Sequence, residues 1–297
     1  MVRLEFSTQL NYDVFDAGCD FIFNIQAAQT PRQRILRESL GITPPLPATF
    51  YTDPLTHSRH ISLRAPEGLL TVSYSAEVEL DHVQARPDDL GELSPVALPG
   101  HVLPYLYPSR YCQSDRLLTL AQREFGHLPA GYHRASAICD WVGQHISFQG
   151  NTSNSNTSAL DTLIDRVGVC RDFAHVMVAL CRAVNLPARM ASGMDYGADP
   201  ALGPPDFHAY VEVYLADMTA PAGPTGRCYM FDPSGTAVPM GFVRFCTGRD
   251  ASDIAFATLF GSVNAAQPML SIHAVPNASG HRVEPRHVND ALSTDGP

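Results

Sequence analysis

The chain has 297 residues, 45% hydrophobic and 17% charged, a balance that excludes a disordered chain and leaves room for about two ordinary domains. A formal net charge of −10 argues against nucleic acid as the main partner. No apolar run approaches the roughly 20 residues of a bilayer-spanning helix, and the first residues lack the apolar centre of a secretory leader.

Seven scattered cysteines, with no Cys-x-x-Cys pair, fit reduced thiols in a cytoplasm better than disulfides or a structural zinc site. Every basic residue is arginine, and no function follows from that.

Residues 1–84 read as a β-rich N-terminal domain. Leu4, Phe6, Phe21 to Ile25, Ile61 to Leu63 and Leu70 to Leu80 are runs of strand formers. In the last run Val72, Tyr74, Ala76, Val78 and Leu80 alternate with polar residues, the pattern of a half-buried antiparallel strand. Punctuation by proline and glycine between the runs suggests a β-sandwich-like module. Residues 85–113 are a proline-rich connector whose Tyr105, Tyr107 and Tyr111 suggest packing on a neighbour.

A catalytic domain is expected over 114–275. Ser114 can cap a helix through Phe125, and a second helix runs from about Ala130 to His145 with Ile138, Trp141, Val142 and His145 on one face. The stretch from Gln149 to Asn156 is a polar loop. Ser158 and Asp161 form a capping-box pattern for a short helix to about Val167. Gly168 then gives a permissive backbone ahead of a helix starting at Cys170 and stopped by Asn185-Leu186-Pro187. Strands follow at 188–193, 207–215, 227–232 and 241–246. The remainder to 275 is mixed, and 276–297 reads as a polar, loosely held tail.

At the start of a helix Cys170 meets the positive end of the macrodipole, which favours a thiolate over a thiol. A cysteine nucleophile needs a base held by a third group. His175 lies about 140° round the helix from Cys170 and suits packing instead. His208 is the better base. It opens a strand on which His208, Tyr210, Glu212 and Tyr214 share the more polar side. The strand ending at Asp232 joins it through a Pro- and Gly-rich turn. With that turn centred on residue 220, Asp232 stands directly across from His208, Cβ atoms roughly 4.5–5.5 Å apart.

The segments Gly168-Val169-Cys170-Arg171-Asp172-Phe173-Ala174-His175, Asp206-Phe207-His208-Ala209-Tyr210-Val211-Glu212-Val213 and Phe231-Asp232-Pro233-Ser234 resemble the three core motifs of the transglutaminase-like superfamily. The likeness is to its bacterial branch, described as candidate cysteine proteases with a β-rich N-terminal domain. It extends to Thr157-Ser158-Ala159-Leu160-Asp161-Thr162-Leu163, Leu186-Pro187-Ala188-Arg189 and Gly248-Arg249-Asp250-Ala251-Ser252-Asp253.

The resemblance implies an α+β, papain-like core of helices on an antiparallel sheet. It also implies a hydrolase or acyltransferase with a Cys170, His208, Asp232 triad, a thioester on Cys170 and a peptide or amide substrate. The backbone N–H of Cys170 is the natural first oxyanion donor. The indole N–H of Trp141 is a candidate second, set against plain core packing, and the 151–156 loop is a weaker one. Arg171 suits a salt bridge as well as a substrate carboxylate. Phe207 and the Tyr196 to Pro205 loop are expected near the cleft. No cofactor, metal, nucleic acid or membrane is called for, and self-association stays open. The competing reading is a non-catalytic scaffold that keeps the fold and binds protein partners through the β-rich module.

Overall fold

The computed structural model describes residues 1–197 and 207–295. Strand β1 (Val2–Val14) runs antiparallel to β6 (Gly68–Leu80) over its whole length, from the Val2–Leu80 pair to the Val14–Gly68 pair. Both alternate buried and half-exposed side chains, as a sheet with one face on a core must. β3 (Gln33–Thr43) lies on the outer edge of β6. A second sheet holds β2 (Cys19–Phe23), β5 (Arg59–Ala65) and β4 (Ala48–Thr52). The two sheets share a core in which Tyr12 packs on Phe21 and Phe23, ring centroids 5.1 and 5.9 Å away.

These sheets are completed from the far end of the chain. β15 (Ala257–Phe260) pairs with β2, while β16 (Val263–Ala265) and β17 (Met269–Ala274) pair with β1. The stretch from 257 to 274, expected within the catalytic domain, therefore belongs to the N-terminal sheets. The physical reason is edge cover, since β1 and β2 would otherwise present unpaired N–H and C=O groups.

The tail expected to be loosely held is anchored too. β18 (Ala291–Ser293) pairs with β7 (Val83–Ala85), and Ala291 to Thr294 are buried. Asp295 reaches the guanidinium groups of Arg189 and Arg244 at 3.2 and 3.8 Å. Those arginines also hold Glu212, which is fully buried. In the connector Tyr105 lies under Arg189 and Tyr111 stacks on His175, whereas Tyr107 is exposed.

The second half is built round α4 (Cys170–Ala183), which is buried on every side from Asp172 to Ala183. Its unbroken apolar run from Val176 to Cys181 covers every side of the cylinder, so this helix has to sit inside. It packs between a sheet and three helices, α1 (Leu118–Phe125), α2 (Tyr132–His145) and α3 (Ala159–Asp165). Ser114 to Arg116 form a 3₁₀ turn ahead of α1 rather than its cap. The capping box at Ser158 and Asp161 is present.

The sheet has the order β13 (Thr225–Phe231), β12 (Phe207–Asp217), β11 (Ala188–Asp195), β14 (Phe242–Gly248), with β8 (Leu90–Gly91) on the end of β12. Neighbours on the main path are antiparallel. This is the α+β arrangement expected, with a β-rich N-terminal part. At its rim α5 (Ala251–Ile254) follows β14.

Burial demands partners for the polar groups on this helix, and all but Nδ1 of His175 find one. Arg182 donates to the carbonyl oxygens of Tyr107, Ala188 and Arg249 and to the Ser109 hydroxyl. His175 accepts from the Ala251 N–H through Nε2, a packing role and not a partnership with Cys170.

Candidate active site

Cys170 is the first residue of α4. Val169 precedes it in extended conformation, and the Val169 N–H donates to Oδ2 of Asp172 at 2.9 Å, so the helix start is closed by its own third residue. Gly168 is required there for space rather than for backbone freedom. It has no positive φ, and a Cβ on it would lie 2.7 Å from the Asp172 Cβ.

β9 (Ser147–Phe148) and β10 (Val167–Gly168) form a two-residue parallel ladder. The Gln149 N–H extends it by donating to the Gly168 carbonyl. Arg171 adds a second tie, donating to Oδ1 of Asp172 at 3.0 Å and to the Asn154 carbonyl at 2.9 Å. The polar loop is thus held beside the helix start, and of the two roles open to Arg171 the structure shows the salt bridge.

The Cys170 sulfur lies 4.0 Å from the carbonyl oxygen of Phe207, the residue before His208. The Phe207 ring packs on Phe256 and Phe245, which sets where β12 begins. His208 is 7% exposed, and its Nε2 lies 3.3 Å from Oδ1 of Asp232. Nε2 is thereby engaged, and Nδ1 is the ring nitrogen left for the sulfur.

The hairpin register differs from expectation. Phe231 faces Val211, the turn centres on residue 221, and Asp232 falls just beyond the strand, diagonal to His208. The shift relative to His208 is two residues, which keeps Asp232 on the same face.

Asp232 is fixed by four donors. Oδ1 accepts from the Ser234 N–H at 3.0 Å and the Ser234 hydroxyl at 2.6 Å as well as facing His208, and Oδ2 accepts from the Ala237 N–H at 2.9 Å. Burial pushes its carboxyl up, yet His208, Ser234 and Ala237 together hold it below the usual carboxylate range. For His208, burial is the largest single influence and works downward. The Cys170 sulfur and the Asp232 carboxylate, each through charge and a hydrogen bond, outweigh it and hold the imidazole well above its ordinary value.

The sequence did not single out Asp195, at the end of β11. Tyr210, two residues on from His208, donates to Oδ2 of Asp195 at 2.5 Å. The only signal for it was the shared strand face. Trp141 has Phe125 and His145 as its ring partners, at 5.9 and 3.8 Å. On the same helix Gly143 lies against the Pro233 carbonyl, and Trp141 is about 200° from that side. Packing is thus the role in view for Trp141.

The Tyr196 to Pro205 loop lies outside the described residues from 198 onward. Of the seven cysteines none is paired, and Cys170 and Cys139 alone are half-exposed. Burial pushes the other six thiols up, Cys112 and Cys246 to about 12. Among the described residues no group of three or more His, Cys, Asp or Glu is arranged to hold a metal ion. No helix among them is long and apolar enough to cross a membrane.

The profile of the transglutaminase-like superfamily matches residues 119–233, and that of the bacterial transglutaminase N-terminal domain matches residues 2–100. The crystal structure of a candidate cysteine protease from Cytophaga hutchinsonii superposes with a TM-score of 0.88 at 35% identity, covering 98% of this chain and 97% of that one. The chain belongs to the transglutaminase-like superfamily.

A further relative, the uncharacterized protein ML0607 of Mycobacterium leprae (strain TN), is 24% identical over 254 residues, 82% of this chain and 87% of that protein. Within the transglutaminase-like superfamily the chain stands, in general terms, with cysteine-based hydrolases and acyltransferases. The matched core spans Cys170, His208 and Asp232 together.

Proposed function

We propose that the protein is a thiol-dependent amide hydrolase or acyltransferase acting on a peptide or isopeptide-like bond through a thioester on Cys170. The observation that carries this reading is the contiguity of three side chains far apart in the chain. The sulfur of Cys170 lies against the backbone of Phe207, and the neighbouring His208 ring is held 3.3 Å from Asp232.

In this reading Sγ attacks the amide carbonyl carbon. The C–N bond breaks as His208 gives its proton to the departing amine, leaving the thioester. Water then adds to the thioester carbonyl and passes a proton to His208. The C–S bond breaks, and the acid leaves with the thiolate and the protonated imidazole restored. An amine in place of water gives a new amide by the same steps.

Asp232 holds the tautomer and the angle of the ring. The Cys170 N–H, free of an intrahelical partner at a helix start, is one oxyanion donor. The loop tied down through Gln149 and Asn154 is the better-supported source of a second, since Trp141 is engaged in packing. Seven unpaired cysteines support a reducing compartment as the place of work.

Iodoacetamide at neutral pH tests the reading. Cys170 is expected to label ahead of the other six cysteines, and Cys170→Ser to abolish the fast reaction. Uniform labelling, or none at Cys170, overturns the proposal.

A further inference from the structure

The His208–Asp232 pair has a twin beside it. Strand β12 places Tyr210 on the same face as His208, and the Tyr210 phenol donates to Asp195 as the imidazole faces Asp232. The two carboxylates are set by one turn. Consecutive backbone N–H groups divide between them, Ala237 donating to Asp232 at 2.9 Å and Val238 to Asp195 at 3.1 Å.

Asp195 also accepts from the Gly197 N–H at 2.7 Å. The Tyr210 ring stands edge-on to the His208 ring, centroids 4.9 Å apart, and its other side is closed by Phe242 at 4.3 Å. Tyr210 is fully buried and Asp195 is 5% exposed. An apolar ring in this place would need no such partners. A buried carboxylate instead has to be offset by three donors, and it is aimed at the strand that carries the imidazole.

We propose that Tyr210 and Asp195 are positioning residues for His208, the phenol serving as a wall braced by Asp195 and the Asp195 carboxylate as a second negative charge that favours the protonated ring. This rests on the reading of Cys170 and His208 given above. Among the described residues, the charged and titratable groups round the imidazole are then Cys170 from α4, Asp232 from the turn after β13, Asp195 from β11 and Tyr210 from β12. Burial holds the Asp195 carboxyl above its ordinary value, against the downward pull of the Tyr210 hydrogen bond and of the His208 charge.

The test is the rate of Cys170 alkylation by iodoacetate across pH. An anionic reagent is drawn to an imidazolium, so the rate is expected to be bell-shaped, its falling limb marking loss of the His208 proton. Asp195→Asn keeps the shape and removes the charge, and should move the falling limb down by about half a pH unit or more. Tyr210→Phe keeps the ring and removes the brace, and should broaden the imidazole N–H resonance of the His208–Asp232 bond.

Folded variants with the wild-type limb and the wild-type resonance overturn the proposal. In the unsubstituted protein the Tyr210 ring resonances should move as His208 titrates. A Tyr210 spectrum indifferent to that titration overturns the proposal even when neither variant folds. If fast labelling persists in Cys170→Ser, it is the reading of the site that fails, whatever the twin pair does.

Discussion

Asp172 sits directly over the α-carbon of Gly168, and its carboxylate closes the N-terminus of the helix that presents Cys170. Gly168→Ala therefore drives a methyl group into Asp172 Cβ and Oδ2, which would lie at 2.7 and 3.0 Å. The loss of stability is expected to be about 1–3 kcal/mol by overpacking. Labelling of Cys170 should slow as the helix start loosens. Chemical denaturation and the iodoacetamide rate read the two effects separately, and an alanine variant that matches wild type in both overturns the account.

Asp232→Asn keeps the contacts with Ser234 and Ala237 within reach but no longer favours the charged imidazole. Turnover of a peptide anilide is expected to fall roughly 10³–10⁴-fold, as when the orienting carboxylate of a triad is neutralised. Thermal stability should change far less. A variant retaining a tenth or more of wild-type turnover would count against the triad.

Glu212 is fully buried and faces two arginines, Arg189 at 2.7 Å and Arg244 closer still, while Asp295 from the tail completes the charge balance. Glu212→Gln leaves two buried cations with one counter-charge, and about 3–5 kcal/mol of stability should be lost. Asp295→Asn should cost less, on the order of 1 kcal/mol, because its side chain is 25% exposed. Urea unfolding measures both, and the opposite ranking would refute this picture of the network.

His175 carries a pH dependence. Burial, reinforced by the Arg171 charge, lowers its pKa from 6.5 to about 4. The unfolded chain then binds a proton that the folded chain refuses between those values, so stability rises with pH across the window. The contribution is complete above about pH 6.5 and lost as pH falls toward 4, about 3 kcal/mol in all. Protonation at Nε2 also removes the acceptor used by the Ala251 N–H. From pH 7 to pH 4 the stability of wild type should fall more steeply than that of His175→Gln. Parallel curves would refute it.

Much of the candidate site was legible because each member has a local signature. Cys170 follows a glycine at a helix start, His208 opens an alternating strand, and Asp232 ends one before a proline. The register was misplaced by two residues, and the even period of a strand forgave the error, since a slip of one would have sent Asp232 to the other face. Asp195 was hidden because a strand-end aspartate looks like a turn residue, and its partner lies on another strand. The tail was hidden by composition. Its polar, proline-bearing stretch carries only a few buried side chains, and the use of Asp295 becomes visible only beside Arg189 and Arg244. Gly168 was legible as a glycine, but the reason for it was steric.

Phe245 touches Phe6 of β1 at 5.5 Å and Phe207, the neighbour of His208, at 6.0 Å. One aromatic ring thus links the start of the strand that carries His208 to the far module, whose sheets are in turn finished by the last third of the chain. The two halves cannot be shuffled as independent cassettes. An exchange of the β-rich half for another of like outline would also re-aim the His208 ring, so the pair has to be inherited as one unit.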